Sequence, residues 1–271
     1  MPLPWLPTGA DVEGGAAPRA RTWVDGVETT TSPEEWDRTV ARFLGFGHRV
    51  VLPPGEVGSA AAQHALGQVR RLAALLDARV DEAPWSRLAT TERGQPVEVV
   101  GGWEHRFRQS PGVPSTRVTP LPTVDPGPHR ARGVELPWPV NEHSPTAGLP
   151  MVSSHADALA RQRLASGEVG LWRNDDGLLV GTTAGVPLLL TTHGWAAPSA
   201  LSGAVWPLVP DRVRRWLGAA DLTPTHVVLA VACVDPCGGT TWLTELCGRA
   251  LPVPPEAEAD LAAARTSALD A

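Results

Sequence analysis

The sequence predicts an α+β protein of two domains, and three observations carry that prediction. Helix-period segments alternate with short strand-like runs through the first half. A Pro/Gly-rich stretch of low apolar content follows at 109–133 and reads as a connector. Beyond it the pattern becomes strand–turn–strand with single helices between, as expected of helices packed on sheets. This places a loose leader at 1–21, an N-terminal domain at 22–118, the connector proper at 119–133, a β-rich domain at 134–255 and a tail at 256–271.

Each element has a local reason. Trp23 to Val27 reads as a strand running into an Asp25-Gly26 turn. Ser32-Pro33-Glu34-Glu35 is a helix start, with Ser as N-cap, Pro at N1 and Glu at N3; Trp36, Val40, Phe43 and Leu44 then recur at helical spacing. Arg49 to Leu52 is a strand ended by Pro53-Pro54, and Ser59 opens a second helix with Leu66, Val69, Ala73, Leu76 and Val80 on one face. Gln95 to Trp103 is another strand. In the second half Ser154 caps a helix carrying Ala158, Leu159 and Leu164. Strands follow at 168–173, 178–183 and 186–191, with turns at Asn174-Asp175-Asp176-Gly177 and Thr192-His193-Gly194. A short helix after Pro210, strands at 226–234 and 240–246, and a terminal helix after Pro255 complete the reading.

Composition excludes several functions. With 42% apolar and 19% charged residues the chain can build a core. A net charge of −6 argues against an electrostatic nucleic-acid binder. No apolar run reaches the length of a membrane span, and Met1-Pro2-Leu3-Pro4-Trp5 lacks the basic and apolar regions of a signal peptide. Three cysteines build no disulfide framework, so a cytoplasmic protein with reduced thiols is expected. Most consequential, all 23 basic residues are Arg: the chain contains no Lys, and no Tyr. It therefore offers no lysine amine for Schiff-base chemistry, for a phosphate-binding P-loop or for a general base.

The residues that remain allow limited chemistry. His155 and Asp157, at a helix start, form an acid/base unit if a substrate reaches them; otherwise Asp157 simply favours the helix dipole and His155 is exposed. Cys233, Cys237 and Cys247 are too loosely spaced for a zinc site, and no metal is expected. Cys233 reads as a buried small hydrophobe, and Cys237 on its turn becomes a nucleophile only if the fold supplies a base. Thr240 and Thr241, after Gly238-Gly239, sit where a turn can cradle an anion. Arg212, Arg214 and Arg215 begin a short helix, an unfavourable place for cations unless a carboxylate or anionic partner offsets them. Arg161 and Arg163 read as a solvated helix face, and the 11 Trp as core fillers in place of Tyr.

Three blocks in the second half, at 134–165, 175–190 and 202–217, resemble in order and spacing the class IV aminotransferase family. These are fold-type IV pyridoxal-phosphate enzymes, including branched-chain aminotransferases and 4-amino-4-deoxychorismate lyases. In the first half, Trp23-Val24-Asp25-Gly26 looks like the family's opening strand. The resemblance implies a two-domain class IV aminotransferase-like fold and a pyridoxal-phosphate cofactor. It also implies where the anchors belong. The family's Schiff-base Lys falls on Pro150, and the Glu pairing the pyridine nitrogen falls on Val180. The Ser-Asn after it falls on Ala184-Gly185. The phosphate-cup turn falls on Leu208-Val209-Pro210, where Pro210 has no N–H to donate, and the second cup falls on Ala230-Val231. Arg212 retains the family's Arg with a one-residue insertion, and Glu142 and His143 fall near the family's substrate pocket.

The expectation is therefore a divergent member with no cofactor predicted. Its site is either repurposed for a small anionic metabolite, with His155, Asp157, His143, Glu142 and Arg212 as the groups to test, or left vestigial. The alternative is a non-catalytic pseudo-enzyme subunit, pairing as a homodimer or with an active paralogue.

Overall fold

The computed structural model describes residues 20–266, apart from 44–45, 54–59, 89–94, 105–111, 123–127, 153–154, 200–201, 205–217, 221–227 and 238. The first domain is an antiparallel sheet in the order β2-β1-β5-β4-β3. Strand β1 (Arg21–Val24) turns through Asp25 and Gly26, at φ 50 and 80°, into β2 (Val27–Thr29). These left-handed angles are those of a tight hairpin turn, where Gly carries no steric cost. Helix α1 (Pro33–Arg42) starts as expected, Ser32 Oγ accepting from the Glu35 N–H at 3.2 Å. Strand β3 (Gly47–Leu52), helix α2 (Ala60–Leu75), the short α3 (Ala83–Leu88), β4 (Val97–Trp103) and β5 (Pro114–Pro120) follow. Ser59 lies outside the described residues. The core between this sheet and α2–α3 packs Trp23, Trp85 and Trp103 against Val50, Val69 and Leu72. Tryptophan thus supplies the bulk that Tyr and Phe usually share.

The connector is shorter than its composition suggests. Strand β6 (Pro128–Glu135) begins inside the predicted 119–133 span and joins the second sheet, paired in parallel with β13 and β7. Its sequence, Pro-His-Arg-Ala-Arg-Gly, hides the strand because pairing on both edges, and not an apolar stripe, holds it.

The second sheet runs β11-β10-β9-β12-β13-β6-β7-β8, with β14 (Arg249–Ala250) on β13. Its other strands are β7 (Glu168–Arg173), β8 (Leu179–Thr182), β9 (Val186–Thr191), β10 (Gly194–Pro198), β11 (Gly218–Ala220), β12 (Val228–Val234) and β13 (Thr240–Leu246). Both predicted turns are present: Leu178 N donates to Asn174 Oδ1 at 2.8 Å, and Thr192-His193 links β9 to β10. Strand β8 ends one side of the sheet and β9 lies near the other, yet only residues 183–185 join them. The sheet must roll up for so short a link to close.

From Ala230 to Val234, strand β12 is buried on both faces. Ala230 and Ala232 point to a core capped by Ala257 and Leu261 of helix α5 (Pro255–Thr266), while Val231 and Cys233 point to the opposite core with Leu171 and Leu243. Helix α4 (His155–Arg163) precedes β7. Its expected cap, Ser154, lies outside the described residues, as does the helix expected after Pro210.

Candidate functional site

A cavity of about 1320 Å³ opens between the domains. Strand β3 contributes Arg49, Val50 and Val51; the 138–151 segment, α4, β7 and the β8–β9 hairpin supply most of the rest. The end of β12 reaches it through Asp235 and Pro236. The 150–152 segment is pinned to the free edge of β3. Arg49 N donates to Pro150 O at 2.9 Å, Val152 N donates to Gly47 O at 2.9 Å, and His48 and Met151 form a bridge. Pro150 suits that place because the edge asks it only to accept.

Pro150, Val180, Ala184 and Gly185 all line this cavity. Together they present no amine, no acid and no hydroxyl. At Gly185, φ is +123° and an added Cβ would lie 2.4 Å from Val234 O. No side chain fits there, so the position cannot carry the polar group that the resemblance expects. These four described residues do not offer the groups that the resemblance expects to hold pyridoxal phosphate. Pro210 and Arg212 fall outside the described residues.

Several expected positions are corrected. Ala230 and Val231 are 0% exposed within the two cores, and neither lines the cavity. A strand buried on both faces has no residue to spare for a ligand until its end. Thr240 and Thr241 belong to β13 and not to an anion-binding turn, paired with Val234 and Cys233 on one edge and with Pro128 and His129 on the other. Their backbone groups are consumed by two neighbours, and neither residue lines the cavity. Glu142 and His143 also miss it. Glu142 turns toward the 174–177 hairpin, where Oε2 accepts from Asp175 N at 3.4 Å. The His143 side chain is 88% exposed, with Nε2 3.7 Å from Glu142 Oε1. His155 and Asp157 occupy the first turn of α4, their side chains outside the described residues. Ala156 between them lines the cavity.

The cysteines are quiet. Burial pushes the Cys233 thiol up to about 12. Burial, and then the Asp235 carboxylate beside it, does the same for Cys237. Neither is a thiolate at neutral pH, so neither is an activated nucleophile. No group of metal-ligating side chains occurs among the described residues. We expect a thiol-reactive disulfide at about pH 8 to label exposed Cys247 first and Cys233 only on unfolding. Fast modification of Cys233 in the folded protein would contradict this burial.

The charged groups that do line the cavity are ones that local patterns did not single out. Arg49 is held by Glu98, Nε at 2.6 Å from Oε1 and Nη2 against the same oxygen. Glu168 accepts from Arg132 at 2.5 Å and from Ala165 N at 2.8 Å, and these bonds, the backbone one first, hold its carboxyl below the usual range. Arg161 Nη2 donates to Thr183 O at 2.9 Å. Trp138 and Trp172 form an aromatic wall, centroids 6.1 Å apart, with Arg163 5.2 Å over the Trp138 ring. Period-two alternation on β3 is the one available signal for Arg49, since it places Arg49 opposite buried His48. Helical spacing gives no such signal for Arg161.

No protein-family model matches the sequence, and no curated protein matches it. Solved structures do match in three dimensions. The branched-chain aminotransferase from the archaeon Thermoproteus uzoniensis, solved with norvaline, superposes with a TM-score of 0.69 at 13% identity, over 92% of this chain and 95% of that one. A fold IV-transaminase from Curtobacterium pusillum gives 0.66 at 15% identity, over 90% and 98%. The 4-amino-4-deoxychorismate lyase from Pseudomonas aeruginosa gives 0.61 at 17% identity, again over 90% and 98%. The chain therefore has the two-domain class IV aminotransferase-like fold, an α+β architecture.

Proposed function

We propose that this chain uses a class IV aminotransferase-like scaffold to bind a small anionic metabolite in its interdomain cavity without pyridoxal phosphate. What carries the reading is Pro150, a residue with no amine on the cavity wall where the resemblance expects the cofactor's lysine, in a chain with no lysine anywhere. Arginine does not replace it, because a delocalised, permanently protonated guanidinium is a poor imine-forming nucleophile. Val180, 7% exposed, offers an aliphatic wall where a ring partner would need a carboxylate. In this reading His155 and Asp157 flank Ala156 at the cavity and are the pair available for proton transfer, should the site be catalytic.

The test is incubation with pyridoxal phosphate, borohydride reduction, and intact-mass and peptide analysis. We expect no internal adduct; modification confined to the N-terminal amine leaves the reading intact. An internal adduct, or amino-group transfer that requires added pyridoxal phosphate, would overturn it.

A further inference from the structure

We propose that the cavity takes its ligand by a planar aromatic ring, stacked on Trp172 and lying across the bare backbone of Gly181. The inference rests on the reading of the cavity as a ligand site without pyridoxal phosphate and names the body of that ligand.

Trp172 and Gly181 stand directly opposite each other on β7 and β8, and both line the cavity. Opposed residues of an antiparallel pair point to the same face, so the glycine lies beside the indole. Glycine weakens a strand, and inside one it answers to a left-handed backbone, a crowded neighbour, a bulge or the close approach of a ligand. The first three do not apply. Gly181 is not among the left-handed glycines. An added Cβ would meet one atom within 4 Å, Trp172 Cδ1 at 3.7 Å, an ordinary contact beside open space. The register shift between β7 and β8 skips Val180 and leaves Gly181 paired. Gly170 on β7 shows the contrast: its Cβ would meet Leu136 Cδ1 and Thr183 Cγ2 at 3.0 Å, so packing accounts for it. At Gly181 the close approach of a ligand is what remains.

The indole beside this opening sets the shape of what approaches. Trp172 is half-buried on the cavity wall. Its ring contact among the described residues is Trp138, with centroids 6.1 Å apart and planes 52° from parallel, which is not a stack. Trp138 already carries the Arg163 guanidinium 5.2 Å over its ring. Leu149, Pro150 and Val180 continue the apolar surface. A half-exposed indole holds a flat ring in an offset stack, with attraction beyond the area buried, whereas a puckered ring gains the area alone.

Calorimetric titration of the full chain with 2-naphthoate and decahydro-2-naphthoate tests this. The two anions share a carbon skeleton and a charge, but the first is flat and the second puckered. Burial alone would not favour the flat one. We expect saturable 2-naphthoate binding, at least about tenfold tighter than that of decahydro-2-naphthoate, and loss of this preference in Trp172→Leu. Gly181→Ala should fold without a fall in urea midpoint, because its methyl enters open space, yet bind 2-naphthoate at least about tenfold more weakly, because the methyl takes the place of the ring. If a variant does not fold, the ratio of the two anions on the unaltered chain still decides. Equal binding of the two anions, a preference kept in folded Trp172→Leu, undiminished 2-naphthoate binding in folded Gly181→Ala, or no 2-naphthoate binding up to about 10 mM overturns the proposal. These outcomes are separate from the borohydride result, because an internal pyridoxal adduct defeats the cofactor-free reading whatever 2-naphthoate does.

Discussion

Gly185→Ala is expected to destabilise the protein by roughly 3–5 kcal/mol, seen as a large fall in urea midpoint at unchanged slope. Two costs combine. A φ of +123° is strained for any L-residue, and the new Cβ would lie 2.4 Å from Val234 O, 2.8 Å from Val234 C and 3.1 Å from Asp235 N. All three obstacles are backbone atoms at the end of β12, a strand whose faces are filled by two cores, so nothing nearby can yield. Gly194→Ala separates the terms. Its φ is +108°, but nothing lies within 4 Å of its Cβ, so only the dihedral cost of about 1–3 kcal/mol should appear. Equal losses in the two variants would show that close approach to Val234 is not what holds position 185 to glycine. The same contact means that the family's residue cannot be restored at this hairpin by substitution alone.

The second large effect concerns acid. His48 is 3% exposed, its ring lies 6.2 Å from Trp85 and 6.3 Å from Trp103, and neither ring nitrogen has a partner among the described residues. Burial alone lowers it from 6.5 to about 3. Between those values the unfolded chain takes up a proton that the folded chain refuses. Stability is therefore fully present above about pH 6.5 and is lost as pH falls toward 3, by up to about 1.4 kcal/mol per pH unit. Urea unfolding should give roughly 2 kcal/mol less at about pH 5 than at about pH 7.5, and His48→Leu should flatten that difference. The carboxylates with lowered values, Glu34 and Glu168, start from 4.5, so what they contribute is lost mainly below the interval between about pH 5 and about pH 7.5 over which His48 is compared. If His48→Leu keeps the full slope, the buried ring is not its source. Strand β3 carries His48 on its core face and Arg49 on its cavity face, so acid strain in this core bears on the same strand that pins Pro150.

Local chemistry made much of the fold legible. Ser32-Pro33 starts a helix, Asp25-Gly26 and the 174–177 turn close hairpins, and strands 186–191 and 240–246 coincide with their apolar patterns. Strands β5 and β6 were not legible. Prolines at their ends and charged residues within β6 read as linker, and only pairing with distant strands makes them regular. The candidate site divides the same way. Pro150, Val180, Ala184 and Gly185, named from the matched blocks, line the cavity, whereas Ala230-Val231 and Thr240-Thr241 do not, for reasons of burial and pairing in β12 and β13 that only the fold shows.

By itself the sequence determined that no lysine amine is present, and this needs no structure, because a missing atom is missing in every register and every fold. It determined the turns as well, since those depend on neighbouring residues. Only the tertiary structure decided that the Val234 carbonyl fills the space beside Gly185, that Arg161 rests on the Thr183 carbonyl, and that Trp138 and Trp172 form one wall. Such contacts join residues far apart in the chain, and their distances are set by how a rolled sheet and a helix pack, which no local pattern encodes.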